Sequence, residues 1–209
     1  MKQISRLQYI TTSAINAEQA CKAGVDWVQL RLKNISFDDY KTIAIEVQAI
    51  CKQYGAKLII NDNVDVAIAI QADGVHLGKD DMSHAEARLL LGDDYIIGSS
   101  TNTVDDIIRL SQESLDYLGV GPFRFTSTKE KLNPIVGLDG YKRIIHELKN
   151  KSVSMPPLVG IGGIEEKDVV DIISAGLYGV AVSGAISHAA QPALAAEKFL
   201  QLCNQTLVL

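Results

Sequence analysis

The stretch Tyr117-Leu118-Gly119-Val120-Gly121-Pro122-Phe123-Arg124-Phe125-Thr126-Ser127-Thr128-Lys129 decides how this chain is read. Its first four residues make a short apolar run of strand length. The loop after them could not build a core. Thr126 and Thr128 put hydroxyls at alternate positions, and Lys129 adds an ammonium beside them. Glycine, hydroxyls and a lysine gathered this closely offer several donors and one positive charge, which suits an anion. An apolar run that ends in a polar cluster recurs along the chain, and that recurrence sets the fold class.

The strand-like runs are Leu7–Thr11, Trp27–Leu30, Lys57–Asn61, Gly74–Leu77, Tyr95–Ser99, Tyr117–Val120, Pro157–Ile161 and Gly179–Val182. Helical patterns separate them. Asp38–Tyr54 carries Tyr40, Ile43, Ala44, Val47, Ile50 and Cys51 on one stripe. Further helices are expected over Ser83–Leu91, Thr103–Ser111, Asp139–Lys149, Glu165–Ala175 and about Pro192–Leu202. Near-continuous apolar strands alternating with helices mean parallel pairing. Eight such units point to an α/β chain forming a single (β/α)8 TIM barrel over residues 1–209. A doubly wound open sheet is the runner-up, although it would normally use fewer strands. Gly24, Gly55 and Gly176 each precede a strand, where a helix C-terminus needs a left-handed residue.

Bulk composition narrows the function. The 209 residues are 47% hydrophobic, enough for one sizeable core. A net charge of −5 and the lack of a Lys/Arg run argue against a nucleic-acid surface. The opening residues Met1–Arg6 lack the apolar segment of a signal peptide. No apolar run approaches the roughly 20 residues that span a bilayer. Cys21, Cys51 and Cys203 are far apart and odd in number, so reduced thiols in a cytoplasmic protein are the simplest reading.

Chemistry in such barrels sits at the C-terminal ends of the strands. After the second strand, alternation puts Gln29, Arg31 and Lys33 on one face, offering an amide and two cations to the barrel mouth. The alternative is a solvated strand end, but an arginine within a strand is hard to justify that way. Asp62 follows the third strand and Asp81 the fourth. Each could simply cap the next helix. Together they match Mg²⁺, which takes one or two carboxylates and leaves its other positions to water and substrate phosphate. Gly98-Ser99-Ser100-Thr101-Asn102 is a donor-rich turn after the fifth strand. Gly162-Gly163 and Ser183-Gly184 come after the seventh and eighth, where this fold binds phosphate through backbone N–H groups. A phosphate cradle opposite carboxylates and cations suits two phosphorylated small molecules, one carrying a diphosphate. No Ser-His-Asp or Cys-His arrangement is evident, and of the four histidines only His76 is near a strand end.

In this order the strand-end motifs resemble the thiamine phosphate synthase family. The carriers are Val28–Lys33, Ile60-Asn61-Asp62, Ala72–Gly78, Gly119–Pro122, Thr126–Lys129 and Ile161–Ile164, and the likeness runs from Tyr9 to Ile186. The resemblance implies that hydroxymethylpyrimidine diphosphate is joined to hydroxyethylthiazole phosphate, releasing pyrophosphate. It implies Asp62 and Asp81 on Mg²⁺, and Gln29, Arg31, Lys33 and Asn61 on the pyrimidine diphosphate. Ser100 would approach the pyrimidine or the leaving group. Thr126, Thr128 and Lys129 would close over pyrophosphate and thiazole. Gly163, Ser183 and Gly184 would take the thiazole phosphate. Lys129, Ser100, Arg31 and Lys33 are the expected catalytic residues. The chain departs from the family pattern at Lys79, Asn102, Phe125, Glu130 and Gly184. Two other readings compete: a thiazole tautomerase of the same fold, and a non-catalytic phosphate-ligand sensor. Neither has a reason to keep Asp62, Asp81 and the Thr126-x-Thr128-Lys129 loop. Self-association through outer helices is compatible with so small a barrel.

Overall fold

The computed structural model describes Lys2, residues 4–125 and residues 134–205. Eight parallel strands close into a barrel in sequence order: β1 (Leu7–Thr11), β2 (Trp27–Leu30), β3 (Lys57–Asn61), β4 (Gly74–Leu77), β5 (Ile96–Thr101), β6 (Tyr117–Val120), β7 (Leu158–Ile161) and β8 (Gly179–Val182). Pairing of β1 with β8 removes the edges that an open doubly wound sheet would keep. The helices are α1 (Ala14–Lys22), α2 (Phe37–Tyr54), α3 (Val64–Ile70), α4 (His84–Leu91), α5 (Val104–Leu110), α6 (Gly137–Asn150), α7 (Val169–Ser174), α8 (Gly184–Ser187) and α9 (Pro192–Gln205). Among the described residues, no helix is long and apolar enough to cross a membrane.

Local chemistry explains most of the boundaries. Helices α1 to α5 start behind Ser13, Ser36, Asn63, Ser83 and Thr103, whose side chains accept from the backbone N–H three residues on. Gly24, Gly55 and Gly176 take φ of 97°, 69° and 108° as the chain leaves a helix. Several expected boundaries shift, three of them for a visible reason. β5 runs to Thr101 instead of ending at Ser99, because Ser100 and Thr101 pair with Gly119 and Val120. Hydroxyl-rich composition hid that strand end. β7 begins at Leu158, one residue after Pro157, which has no N–H to give the ladder. The expected helix over Glu165–Ala175 begins instead as a 3-10 turn, Glu166–Asp168, because the Asp168 carboxylate folds back to accept the Glu165 N–H at 2.8 Å.

Strand alternation divides the interior into two cores. Inside the barrel, Ile4, Ile10, Trp27, Ile59, Ile96, Tyr117, Val159 and Ala181 pack on one another. Between barrel and helices lie the opposite faces of the same strands, including Val28, Leu30, Leu58, Ile60, Leu77 and Leu118, covered by Ala44, Val47, Ile107, Tyr141 and Phe199. Each such side chain contributes about 1.5–3 kcal/mol on burial. Trp27 meets Tyr117 edge-to-face at 4.8 Å. Polar residues also point inward: Gln8, Gln29, Asn61 and His76 are all buried. Two acids that precede strands lock neighbouring ladders. Asp73 accepts the Leu58 N–H and Asp116 the Ile97 N–H, each at 2.8 Å. Arg88 and Lys2 neutralise Asp116 from the same end of the barrel.

Candidate active site

At the C-terminal end of β3 the chain turns sharply. Asp62 sits at φ 63°, a left-handed conformation that costs a non-glycine residue about 1 kcal/mol or more. Its N–H donates to the His76 carbonyl at 2.8 Å. The next residue, Asn63, caps α3 by accepting the Val66 N–H at 2.9 Å. At the end of β4, Asp81 accepts the Gly78 N–H at 2.6 Å, while Ser83 caps α4. The capping alternative for Asp62 and Asp81 therefore fails, and both carboxylates are left facing other charges. Lys33 forms an ion pair with Asp62.

The two carboxyls are neighbours, and each bears on the ionisation of the other. Burial works against ionisation of Asp62, but hydrogen bonds from Lys33 and Asp81 and the Lys33 charge outweigh it, so its carboxyl lies below the usual value. Burial and the adjacent Asp62 push Asp81 up. A carboxylate pair in which one member resists ionising is short of positive charge. Among the described residues no group of three or more acids, histidines or cysteines converges as ligands. Two hard oxygen donors fit Mg²⁺, which leaves its other positions to water and phosphate, and suit neither structural zinc nor a calcium cage.

Sequence alternation placed Gln29, Arg31 and Lys33 on one face. The strand ends at Leu30, so Arg31 and Lys33 lie in the loop beyond it, and the three residues occupy different depths. Gln29 is 1% exposed inside the barrel, Arg31 is half-buried and Lys33 is exposed. Tyr40 of α2 fixes this corner: its hydroxyl faces the Leu30 carbonyl at 2.8 Å and the Asn61 carbonyl at 3.1 Å. Asn61 is 4% exposed, and its amide nitrogen has no hydrogen-bond partner among the described residues. A buried amide donor without an acceptor is costly and calls for a ligand to complete it.

Ser100 lies within β5, two residues beyond Gly98 on the same face. Its Oγ is 2.8 Å from His76 Nε2. His76 Nδ1 is 2.9 Å from the Tyr117 hydroxyl. Gln8 Nε2 donates to that hydroxyl at 3.0 Å, and Gln8 Oε1 accepts from Gln29 Nε2 at 3.0 Å. Strands β1, β2, β4 and β6 thus supply one polar chain that ends at Ser100 on β5. Two glycines leave the space for it. A Cβ on Gly98 would fall 2.1 Å from Tyr117 Cζ, and one on Gly119 would fall 3.4 Å from the His76 ring. Sequence reasoning noted His76 only for its place and passed over Gln8 and Tyr117. The available signal was polar side chains at inward-facing positions of strands.

The loops after β6 and β7 adjoin one another, and the loop after β8 follows the next strand of the barrel. Gly162 and Gly163 take φ of 97° and 67°, and added Cβ atoms would lie 2.8 Å from Pro122 Cα and 2.9 Å from the Phe125 carbonyl oxygen. Only glycine fits two successive left-handed positions so close to another backbone. Arg124 spans the two loops. Its guanidinium forks onto Asp168 at 2.9 and 3.0 Å and donates to the Gly163 carbonyl at 2.6 Å. Ser183 precedes α8 without using its hydroxyl as a cap. A Cβ on Gly184 would meet His188 at 3.5 Å, an ordinary contact, so the absence of a side chain there is not forced by space. Thr126, Thr128, Lys129 and Glu130 lie outside the described residues. The structure therefore brings Lys33, Asn61, Asp62 and Asp81 to one corner of the barrel mouth. Ser100 stands on the next strand, and the glycine loops come after β7 and β8.

Comparison with known proteins gives one consistent result. The family model for thiamine monophosphate synthase matches residues 5–186. A thiamine-phosphate synthase from Flavobacterium psychrophilum is 44% identical over 192 residues, covering 92% of this chain and 93% of that protein. One from Phocaeicola vulgatus is 43% identical, covering 90% and 89%. Among solved structures, the thiamine phosphate pyrophosphorylase from Pyrococcus furiosus superposes with a TM-score of 0.84 at 26% identity, over 97% of this chain and 96% of the other.

Proposed function

The chain belongs to the thiamine monophosphate synthase family, and from that membership we propose how its strand ends carry out the reaction. The protein is a transferase that joins hydroxymethylpyrimidine diphosphate to hydroxyethylthiazole phosphate, giving thiamine monophosphate and pyrophosphate. The observation that carries the assignment of residues is the corner where Asp62, Asp81, Lys33 and the unpartnered Asn61 amide meet.

An electron-rich aminopyrimidine can share positive charge on its methylene as pyrophosphate departs, so the protein's main task is to stabilise the leaving charge. Asp62 and Asp81 would hold Mg²⁺, which supplies charge neutralisation on the diphosphate. Arg31 and Lys33 add fixed positive charge on the same side, and Lys129 does so from the loop after β6. Asn61 donates its free amide hydrogen to the diphosphate substrate. Gln29, buried beside Gln8, reads the pyrimidine from below, and Ser100 contacts the pyrimidine or the leaving group. Gly163, Ser183 and Gly184 hold the thiazole phosphate by backbone N–H groups, which aims the thiazole nitrogen at the methylene. Thr126 and Thr128 cover the pyrophosphate. The attacking nitrogen carries a free lone pair, so no general base is needed. Three buried free thiols and small phosphorylated substrates fit a cytoplasmic enzyme working as one domain over residues 1–209, with self-association through its outer helices.

The test is product formation from the two substrates with Mg²⁺ and with EDTA. Thiamine monophosphate appearing only with Mg²⁺ is the expected result. Equal rates in EDTA would remove Asp62 and Asp81 from the role of metal ligands.

A further inference from the structure

We propose that Gln29, Gln8, Tyr117 and His76 form a one-way hydrogen-bond chain that makes Ser100 a hydrogen-bond donor toward the diphosphate substrate. A continuous chain can run in two directions. In one, every group donates toward Ser100; in the other, every group donates away from it. Gln8 breaks the symmetry. Its carbonyl oxygen accepts from Gln29 and its amide nitrogen donates to the Tyr117 oxygen, each at 3.0 Å. A phenol that accepts from an amide keeps one hydrogen of its own to give. Beside the Gln29 amide, which already donates to Gln8 and also adjoins this hydroxyl, the acceptor within reach is His76 Nδ1 at 2.9 Å. Imidazole nitrogen is a better base than a phenol oxygen, so this direction also matches the stronger donor to the stronger acceptor. Complete burial of Tyr117 keeps its phenol protonated, since the phenolate would lose all solvation.

His76 then accepts at Nδ1, and its single N–H is at Nε2. That N–H donates to Ser100 Oγ at 2.8 Å. With its oxygen accepting from His76, Ser100 has its own hydrogen left for an acceptor at the barrel mouth. The substrate offers such acceptors, the pyrimidine ring nitrogens and the diphosphate oxygens. His76, Tyr117 and Gln8 are therefore positioning residues: they act through the serine and touch no reacting atom. The reversed chain would leave Ser100 donating to Nε2 and presenting lone pairs to an anionic substrate, which repels it. The inference rests on the placement of Ser100 at the substrate proposed above.

The direction is readable without substrate. Long-range proton–nitrogen correlation on protein labelled with ¹⁵N-histidine reports which ring nitrogen carries hydrogen, and His76→Gln identifies the signal. The expected result is His76 as the Nε2–H tautomer. The Nδ1–H tautomer in the parent protein would overturn the proposal. Gln8→Glu, read at a pH where infrared shows the carboxylate ionised, puts a group there that can only accept, so Tyr117 donates to it and His76 should switch to Nδ1–H. Tyr117→Phe, nearly isosteric, should lower kcat about 10- to 100-fold with KM for both substrates little changed, as loss of an orienting partner does. Unchanged kcat in that variant would sink the positioning role. If the parent shows Nε2–H but Ser100→Ala turns over normally, the placement of Ser100 at the substrate is wrong and the catalytic claim goes with it.

Discussion

Asp62 combines a left-handed φ of 63°, a lysine partner and a second acid beside it. A capping role would have required none of these. Replacing it with Asn removes the ligand charge while keeping the shape and the tolerance of a left-handed backbone. Asp62→Asn should raise the Mg²⁺ concentration for half-maximal activity about tenfold or more; a titration that overlays the parent's would return Asp62 to a structural role. Lys129→Ala should lower kcat about 100- to 1000-fold while leaving thiazole-phosphate affinity nearly unchanged, because its charge serves the departing group. Steady-state kinetics with each substrate varied in turn would separate the two effects. Asp168 gives a pH signature. Its burial opposes ionisation, but hydrogen bonds from Arg124 and the Glu165 N–H outweigh that and lower its pKa. A lowered carboxyl stabilises the fold above its ordinary value near 3.9 and loses that contribution as pH falls through the lowered one. The stability gap between parent and Asp168→Asn should be constant from about pH 5 to 8 and close below about pH 4. A gap that widens toward acid would contradict the Arg124 pairing.

At the scale of elements, the site depends on how helices begin and strands end. Asn63 starts α3 and Ser83 starts α4, and each spares the acid before it from capping. Asn63→Ala should cost about 1 kcal/mol of stability and leave the Mg²⁺ requirement unaltered. Set beside Asp62→Asn, it separates two adjacent residues by denaturant melts and metal titration. Tyr40 and Tyr141 do comparable work on the strands, with their hydroxyls on the last carbonyls of β2 and β6. Much of this level was legible in advance. The eight strands came from apolar runs, and three helix ends from Gly24, Gly55 and Gly176. The shifted end of β5 was not, because Gly98-Ser99-Ser100-Thr101 has turn composition and is a strand only through pairing with β6. The split of the expected seventh helix was also illegible, since it depends on where the Asp168 carboxylate points.

At the scale of the whole molecule, the closed barrel faces polar groups from distant segments toward one axis. Gln8 and Tyr117 are 109 positions apart, His76 and Tyr117 41, and Arg124 and Asp168 44. Their meeting requires the small residues that face them. Gly98→Ala should destabilise the fold by about 1–3 kcal/mol, because the new methyl overlaps the Tyr117 ring. It should also cut activity at temperatures where the protein stays folded. A melting curve and a turnover number on the same sample would show both, and an unchanged pair would mean that β5 and Tyr117 yield easily.

The order of residues alone was enough to establish the alternation of strand and helix and most of the strand ends where chemistry would gather. Those are local properties, carried by periods of 2 and 3.6 residues and by glycine and capping residues within a few positions. Which inward polar groups touch was left to the folded barrel. It joined Lys33 to Asp62, set Asp81 beside them, left the Asn61 amide without a partner among the described residues, and strung Gln29, Gln8, Tyr117, His76 and Ser100 together. The reason is register. Which residue of one strand stands beside which residue of the next is set when the barrel closes, and no local pattern in the chain encodes that stagger.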